Sequence, residues 1–290
     1  MSTIEKALNR LRKAGGTPAG DADQPSSTTA GLNRTSALPE HRQGVKPLSI
    51  DLGQLRKHGV FPPPYMEDTI RDQYRRIKRP LVANATGRGA TAVERGNLIM
   101  ITSAVPGEGK TFTSINLALS IARDPDMSVT LVDGDISRAH ASKLLGVQDQ
   151  PGLIDLLDDE SLTPGDVTIP TSVDSLSVLP AGRRHSLSEE LLSSTRMERV
   201  ISALADPTTR HIILFDSAPL LGSPEAVTLS SNVGQIVVVV KASSTLRHQV
   251  SAAIELLDPK KAINMVLNQS LGGPGGDDYG GYYGESYGGR

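Results

Sequence analysis

From Leu98 onward, short aliphatic runs alternate with longer amphipathic stretches. The runs are Leu98–Thr102, Val129–Asp133, Leu176–Leu179, His211–Asp216, Gln235–Val240 and Ala262–Asn268. Between them, residues 110–122, 188–205, 224–231 and 245–257 read as amphipathic helices. Near-continuous apolar strands separated by helices predict an α/β fold with a mostly parallel central sheet, covered by helices on both faces.

The chain before Leu98 follows another pattern. Ile4, Ala7, Leu8 and Leu11 share one helical face behind the capping box Ser2-Thr-Ile-Glu5, so residues 1–14 predict a short amphipathic helix. Residues 15–47 are rich in Gly, Pro, Ser, Thr and Ala and predict a disordered linker, because they hold too little apolar surface to offset ordering entropy. Residues 48–95 form a basic region in which 66–79 predicts a helix that stops before Pro80. A compact domain then spans 96–270. Residues 271–290 are glycine-rich and predict a disordered tail.

Composition changes this picture in three ways. Among 290 residues there is no cysteine, which excludes disulfides, thiolate metal sites and a cysteine nucleophile. There is no tryptophan and aromatic residues make up 3%, so the core must be aliphatic. Four of the six tyrosines, Tyr279, Tyr282, Tyr283 and Tyr287, lie in the last twelve residues, where no core can form. Charge nearly balances overall, which argues against a nucleic-acid-coating protein. It is nonetheless uneven: residues 1–95 carry 16 basic against 9 acidic side chains, and the remainder 14 against 23. The longest strongly apolar run, Ile236 to Val240, is far below the roughly 20 residues of a membrane span, so a cytoplasmic location is expected.

The sharpest chemical signal is Ala104-Val-Pro-Gly-Glu-Gly109-Lys110-Thr111, between a predicted strand and a predicted helix. That is the context of a P-loop, whose backbone amides and helix N-terminus favour phosphate. Gly107, Glu108, Gly109, Lys110, Thr111 and Phe112 are the expected nucleotide-binding residues; Lys110 would reach the β- and γ-phosphates and Thr111 would ligate Mg²⁺. Asp133 and Asp135 follow the second strand, and Asp216 ends a later one. Ligands of open α/β sheets bind outside the carboxyl ends of the strands, so Lys110, Asp133, Asp135 and Asp216 should converge on one face. Thr111, Asp135 and Asp216 are the expected metal ligands. Gly87-Arg-Gly89-Ala-Thr-Ala92 matches a dinucleotide fingerprint but precedes a strand instead of following one, and is set aside. The histidines show no metal-ligand spacing.

These residues carry a resemblance. Asp133-Gly-Asp135 is similar to the Walker A′ motif of bacterial tyrosine kinases and of ParA/MinD ATPases. Those ATPases place a signature lysine where Val105 stands here. Pro106-Gly-Glu-Gly-Lys-Thr, Asp216-Ser-Ala-Pro219 and the tyrosine-rich tail resemble the tyrosine-kinase branch. Met1-Ser-Thr-Ile-Glu-Lys-Ala-Leu, Tyr74-Arg-Arg-Ile-Lys-Arg-Pro-Leu-Val-Ala-Asn-Ala, Leu179-Pro-Ala-Gly182 and Glu190-Leu-Leu resemble exosortase-associated tyrosine autokinases of exopolysaccharide clusters. Many such kinases carry an arginine two residues after the second acid, where Ser137 stands here; Arg138 comes one residue later.

The resemblance implies an ATP- and Mg²⁺-dependent autokinase that phosphorylates Tyr279, Tyr282, Tyr283 and Tyr287. Asp133 is the candidate acceptor of the tyrosine proton, although the roles of the two Walker A′ acids could be exchanged. Asn268 resembles the residue that contacts the base. Asp72, Arg75 and Lys78, three apart, resemble the motif with which the family pairs subunits. A ring-like homo-oligomer, a separate membrane-embedded chain-length-determinant (Wzz-type) activator and a protein-tyrosine phosphatase are the implied partners. The implied location is cytoplasmic, peripheral to the inner membrane through that activator. The rival readings are a ParA/MinD-like ATPase switch and a nucleotide-binding regulatory subunit of a polysaccharide export complex.

Overall fold

The computed structural model describes residues 46–183, 188–204 and 210–270. The expected N-terminal helix, most of the linker, and the tail with its four tyrosines lie outside these residues. Seven strands form one sheet: β1 Leu98–Ser103, β2 Ser128–Asp133, β3 Ile169–Pro170, β4 Leu176–Leu179, β5 His211–Asp216, β6 Gln235–Lys241 and β7 Ala262–Asn268. Their order is β3-β4-β2-β5-β1-β6-β7, and every pairing is parallel except β3 with β4. This is the mostly parallel sheet that the strand pattern predicted, in the fold of a P-loop NTPase that the loop motif implied. The antiparallel β3 escaped that pattern because two residues cannot display a period.

The central strands are buried on both faces, and alternate residues divide between two cores. Leu98, Met100, Ile213, Phe215, Ile236 and Val238 point to one side; Ile99, Ile101, Ile212, Leu214, Val237 and Val239 point to the other. A strand covered on both faces has no polar alternation, which is why these runs are continuously aliphatic.

The helices in chain order are α1 Leu52–Lys57, α2 Glu67–Ala85, α3 Lys110–Ala122, α4 His140–Leu144, α5 Leu153–Asp158, α6 Pro164–Val167, α7 Ser188–Leu192, α8 Thr195–Leu204, α9 Pro224–Asn232 and α10 Arg247–Glu255. Two differ from expectation. The predicted 188–205 helix is two helices, because Ser194 interrupts it: its hydroxyl donates to Leu191 O and accepts from Met197 N. The helix predicted to stop before Pro80 continues through it to Ala85. Proline removes one backbone bond and crowds the preceding turn. Burial of Tyr74 and Leu81 against the α3 side of the core offsets that local cost.

Lys78 also lies on this buried face, 8% exposed, and its ammonium donates to Ser120 O and Asp124 Oδ1, each at 2.7 Å. It therefore does not stand ready to meet another subunit, contrary to the motif reading. Asp72 and Arg75 remain exposed, 3.8 Å apart on the same helix.

Candidate nucleotide site

β1 is the hinge of the site, because its two neighbours, β5 and β6, lead the chain in opposite directions across the sheet. Such a switch point opens a crevice beyond the strand ends. The loop 104–109 leaves β1 there and enters α3. Gly107 and Gly109 have φ of 83° and 95°, a region that side chains other than glycine rarely adopt. At Gly109 a Cβ would also sit 2.0 Å from Asn268 Nδ2. The first backbone bond of α3 runs from Thr113 N to Gly109 O, so the amides before Thr113 have no partner within the helix. A helix N-terminus of this kind favours an anion.

Glu108 braces the loop from behind. It is 1% exposed, and its carboxylate accepts from Val105 N at 2.8 Å, from Lys241 N at 3.1 Å and from the Thr245 hydroxyl. Its expected place in nucleotide binding is therefore confined to its backbone. Asn268 Nδ2 donates to Glu108 O at 2.8 Å, tying the end of β7 to the same loop. Val105, where the ATPase branch carries its lysine, packs against the core.

The register of β2 and β5 sets Asp133 opposite Asp216. Asp216 is 1% exposed; it accepts from the Thr111 hydroxyl at 2.7 Å and the Ser114 hydroxyl at 3.0 Å. Burial pushes its pKa up to about 7, Asp133 adds to the rise, and the two hydroxyls and Lys110 oppose it. Burial lowers the Lys110 ammonium below its ordinary value, against the pull of Asp216 and Asp135.

Asp135 lines the open cleft, and its Oδ1 accepts from the Ser137 hydroxyl and Arg138 N. Asp133 is arranged differently. Its Oδ2 accepts both the amide and the hydroxyl of Ser142 at 2.7 Å, and its Oδ1 faces Asp135 N at 3.3 Å. It is 1% exposed and stands behind the cleft, with a pKa raised by burial to about 6. For the role of proton acceptor the geometry favours Asp135 over Asp133, the exchanged assignment.

The cleft has a volume of about 420 Å³. Besides Gly107, Gly109, Lys110, Thr111, Phe112, Asp135 and Asn268, it is lined by residues that sequence reasoning missed. Gly59 and Val60 supply one wall, fixed to α3 because Asn116 Nδ2 donates to Val60 O at 3.0 Å. His140 enters beside Thr111, 3.4 Å from its hydroxyl, and burial lowers its pKa. Arg138 also lines the cleft, so an arginine reaches it despite the one-residue offset. Ser114 could have been found from sequence, because it lies one turn beyond Lys110 on the same helix face. Gly59 and Val60 could not, since nothing local links residue 60 to residue 116.

The residues fit a magnesium nucleotide. The loop and Lys110 form an anion cradle. Thr111 and Asp216 form a hard oxygen pair, with Asp135 across the cleft. Among the described residues no three Asp, Glu or His side chains gather into a metal cage. Mg²⁺ needs none, being held by one or two carboxylates together with phosphate oxygens and water.

Comparison with known proteins places relatives beside this geometry. No family model matches the chain. It is 28% identical over 181 residues to the tyrosine-protein kinase ptk of Acinetobacter johnsonii, covering 62% of this chain and 24% of that protein. It is 26% identical over 282 residues to the tyrosine-protein kinase wzc of Salmonella typhimurium, covering 89% and 37%. The chain thus spans well under half the length of these relatives. Among solved structures, the kinase domain of VpsO superposes with a TM-score of 0.59 at 25% identity, over 72% of this chain and 100% of that one. The kinase domain of the Escherichia coli tyrosine kinase ETK superposes with a TM-score of 0.52 at 27% identity, over 59% and 67%. The relatives are bacterial tyrosine-protein kinases, as the motifs implied.

Proposed function

We propose that this relative of bacterial tyrosine-protein kinases is itself an ATP-dependent tyrosine autokinase. Its substrate is its own C-terminal cluster, Tyr279, Tyr282, Tyr283 and Tyr287, and its setting is the control of exopolysaccharide synthesis or export. The observation that carries this reading is the meeting of Lys110, Thr111 and Asp135 at one cleft, with Asp216 buried behind it and bonded to Thr111, in a chain whose relatives are tyrosine kinases.

Phosphoryl transfer asks little covalent chemistry of the protein; it asks for positioning and charge stabilisation. The loop amides and Lys110 bind the triphosphate. Thr111 and Asp216 would hold Mg²⁺, which when bound would neutralise charge on the phosphates. The phenolic oxygen of a tail tyrosine bonds to the γ-phosphorus while the bond from that phosphorus to the β–γ bridging oxygen breaks, and ADP leaves. The phenolic proton passes to a carboxylate, which we assign to Asp135. An unperturbed tyrosine has a pKa of about 10, so at neutral pH it needs such an acceptor.

Subunit pairing through the exposed Asp72 and Arg75, docking on a Wzz-type membrane protein and reversal by a phosphatase belong to the same reading. Among the described residues no helix is long and apolar enough to cross a membrane, which supports a peripheral role through such a partner.

The test incubates purified chain with γ-labelled ATP and Mg²⁺. Label on tail tyrosines that disappears in Lys110→Met supports the kinase. Released phosphate with no protein label supports an ATPase switch instead, and neither signal supports a regulatory subunit.

A further inference from the structure

A second cleft, of about 440 Å³, opens at the opposite pole of the sheet, and the proposed reaction makes no use of it. It lies where the chain enters β1 and β5, lined by Gly96 and Asn97 before Leu98 and by Arg210 before His211. Its other wall is the loop after α2, which contains the glycine-rich stretch set aside as a dinucleotide fingerprint. Arg88, Arg95 and Arg210 all line it, and no Asp or Glu does.

Their charges are only partly engaged by the described residues. The carbonyls at the end of α2 are already served by backbone amides: Val82 O by Thr86 N, Ala83 O by Arg88 N and Asn84 O by Gly87 N. Arg95 makes one contact of 3.4 Å to Asn232 O, and Arg210 one ion pair of 3.1 Å with Asp126, both groups of which are about half exposed. A guanidinium carries five donors, so most remain available. Arg95 is held with φ of 53°, uncommon for a residue with a side chain, and the bonds Gly96 N to Val93 O and Leu98 N to Arg95 O fix that turn. Planar forks at fixed positions suit phosphate and carboxylate oxygens.

We infer that this cleft is an anion site, and that its occupant is the chain's own acidic C-terminal segment once its tyrosines carry phosphate. The inference rests on the tail being phosphorylated. Charge is complementary: the segment holds Asp277, Asp278 and Glu285, and each phosphate adds about −1.5 to −2. Length is sufficient as well. From Ser270, at the nucleotide pole, the path runs back along about 20 Å of strand and across roughly 10–15 Å of sheet. The twelve residues to Tyr282 span up to about 40 Å when extended, and the seventeen to Tyr287 about 56 Å. A phosphorylated tail would thus be drawn away from the nucleotide cleft, leaving that cleft free for the next tail.

The experiment uses the full chain with all four tail tyrosines changed to phenylalanine, so that its own tail carries no phosphate. The probe is a fluorescent synthetic peptide of residues 276–290 with phosphotyrosine at 279, 282 and 283, followed by anisotropy. The phosphopeptide should bind at least about tenfold more tightly than its unphosphorylated form. Arg88→Ala and Arg210→Gln should each weaken it about three- to tenfold, the scale of one charge-assisted contact. Among the described residues the Arg88 side chain makes no hydrogen bond or ion pair, and its backbone bond to Ala83 O survives the change to alanine. Equal binding of the two peptides, or unchanged binding in both arginine variants, overturns the inference. So does displacement by pyrophosphate at peptide-like concentrations, which would mark a site for free phosphate. Because the phosphates are made chemically, this outcome is independent of whether the chain proves to be a kinase.

Discussion

Gly109 joins local backbone geometry to the proposed nucleotide site in a single residue. Its φ of 95° strains any residue with a side chain, and a Cβ there would push the Asn268 amide, 2.0 Å away, off its bond to Glu108 O. Gly109→Ala should cost about 1–3 kcal/mol from the backbone conformation alone. It should weaken nucleotide binding at least about tenfold, read by titration with a fluorescent ATP analogue. A second residue-scale prediction separates the two Walker A′ acids. Asp135→Asn should abolish tail phosphorylation while leaving nucleotide affinity within about threefold, since Lys110 and the loop amides still hold the phosphates. Asp133→Asn should retain measurable phosphorylation and instead lower stability, because Asp133 anchors Ser142 through two bonds. Quantitative phosphotyrosine mass spectrometry and urea midpoints decide the order; if Asp133→Asn alone is inactive, the original assignment of the base stands. The candidate acids were legible in sequence because strand ends and P-loops follow general rules. Which acid faces the cleft was not, since it depends on Ser142, nine residues away in a short helix that carries no motif.

At the scale of elements, the loop after β4 is fastened to α5 by backbone bonds from Leu153 N to Pro180 O and from Ile154 N to Ala181 O, and by one carboxylate. Asp155 accepts from Gly152 N, Arg183 N and Arg183 Nε at 2.8–3.0 Å, with its side chain 11% exposed. Burial pushes its pKa up, but these donors outweigh burial and hold it below the ordinary carboxylate value. A depressed carboxylate stabilises the fold at pH above its unfolded pKa, about 3.9, and loses that contribution as pH falls through the folded value. Asp155→Asn should therefore cost about 1 kcal/mol at pH 7, the scale of a lost helix cap. The difference should shrink below pH 4, as read from urea midpoints at pH 7 and pH 3. The helix α2 shows why element boundaries escaped the sequence. Pro80 is a sound local stop signal, but Tyr74, Lys78 and Leu81 bury together, and a proline's cost is local while their packing is tertiary. The six strands were legible because burial on both faces leaves an unbroken aliphatic run. The wall formed by Gly59 and Val60 was not, since it is placed by Val60 packing into the α3 side of the core and by the hydrogen bond from Asn116, partners distant in sequence.

At the scale of the whole molecule, the proposed autokinase poses the question of which copy's tail enters which cleft. Asn268 and Gln269 line the nucleotide cleft, so the tail departs from the rim of its own site. To serve that site, Tyr279 must double back within ten residues. To serve a neighbour it need only continue outward, up to roughly 37 Å from Asn268. The proposed pairing would draw on Asp72 and Arg75, which are exposed and 3.8 Å apart, and such exposed pairs contribute little to one chain's stability. Transfer between copies makes two demands that transfer within one copy does not. A Lys110→Met chain with an intact tail should become phosphorylated when mixed with an active chain whose tail tyrosines are phenylalanine. The rate per active chain should also rise with total concentration until the oligomer saturates. Arg75→Glu should lower the oligomer mass seen by light scattering and slow this cross-labelling. It should leave nucleotide affinity unchanged, because residue 75 lies outside the cleft. Cross-labelling that fails in the mixture, with wild-type labelling independent of concentration, would place the reaction within a single copy and leave the helix pair without a catalytic purpose.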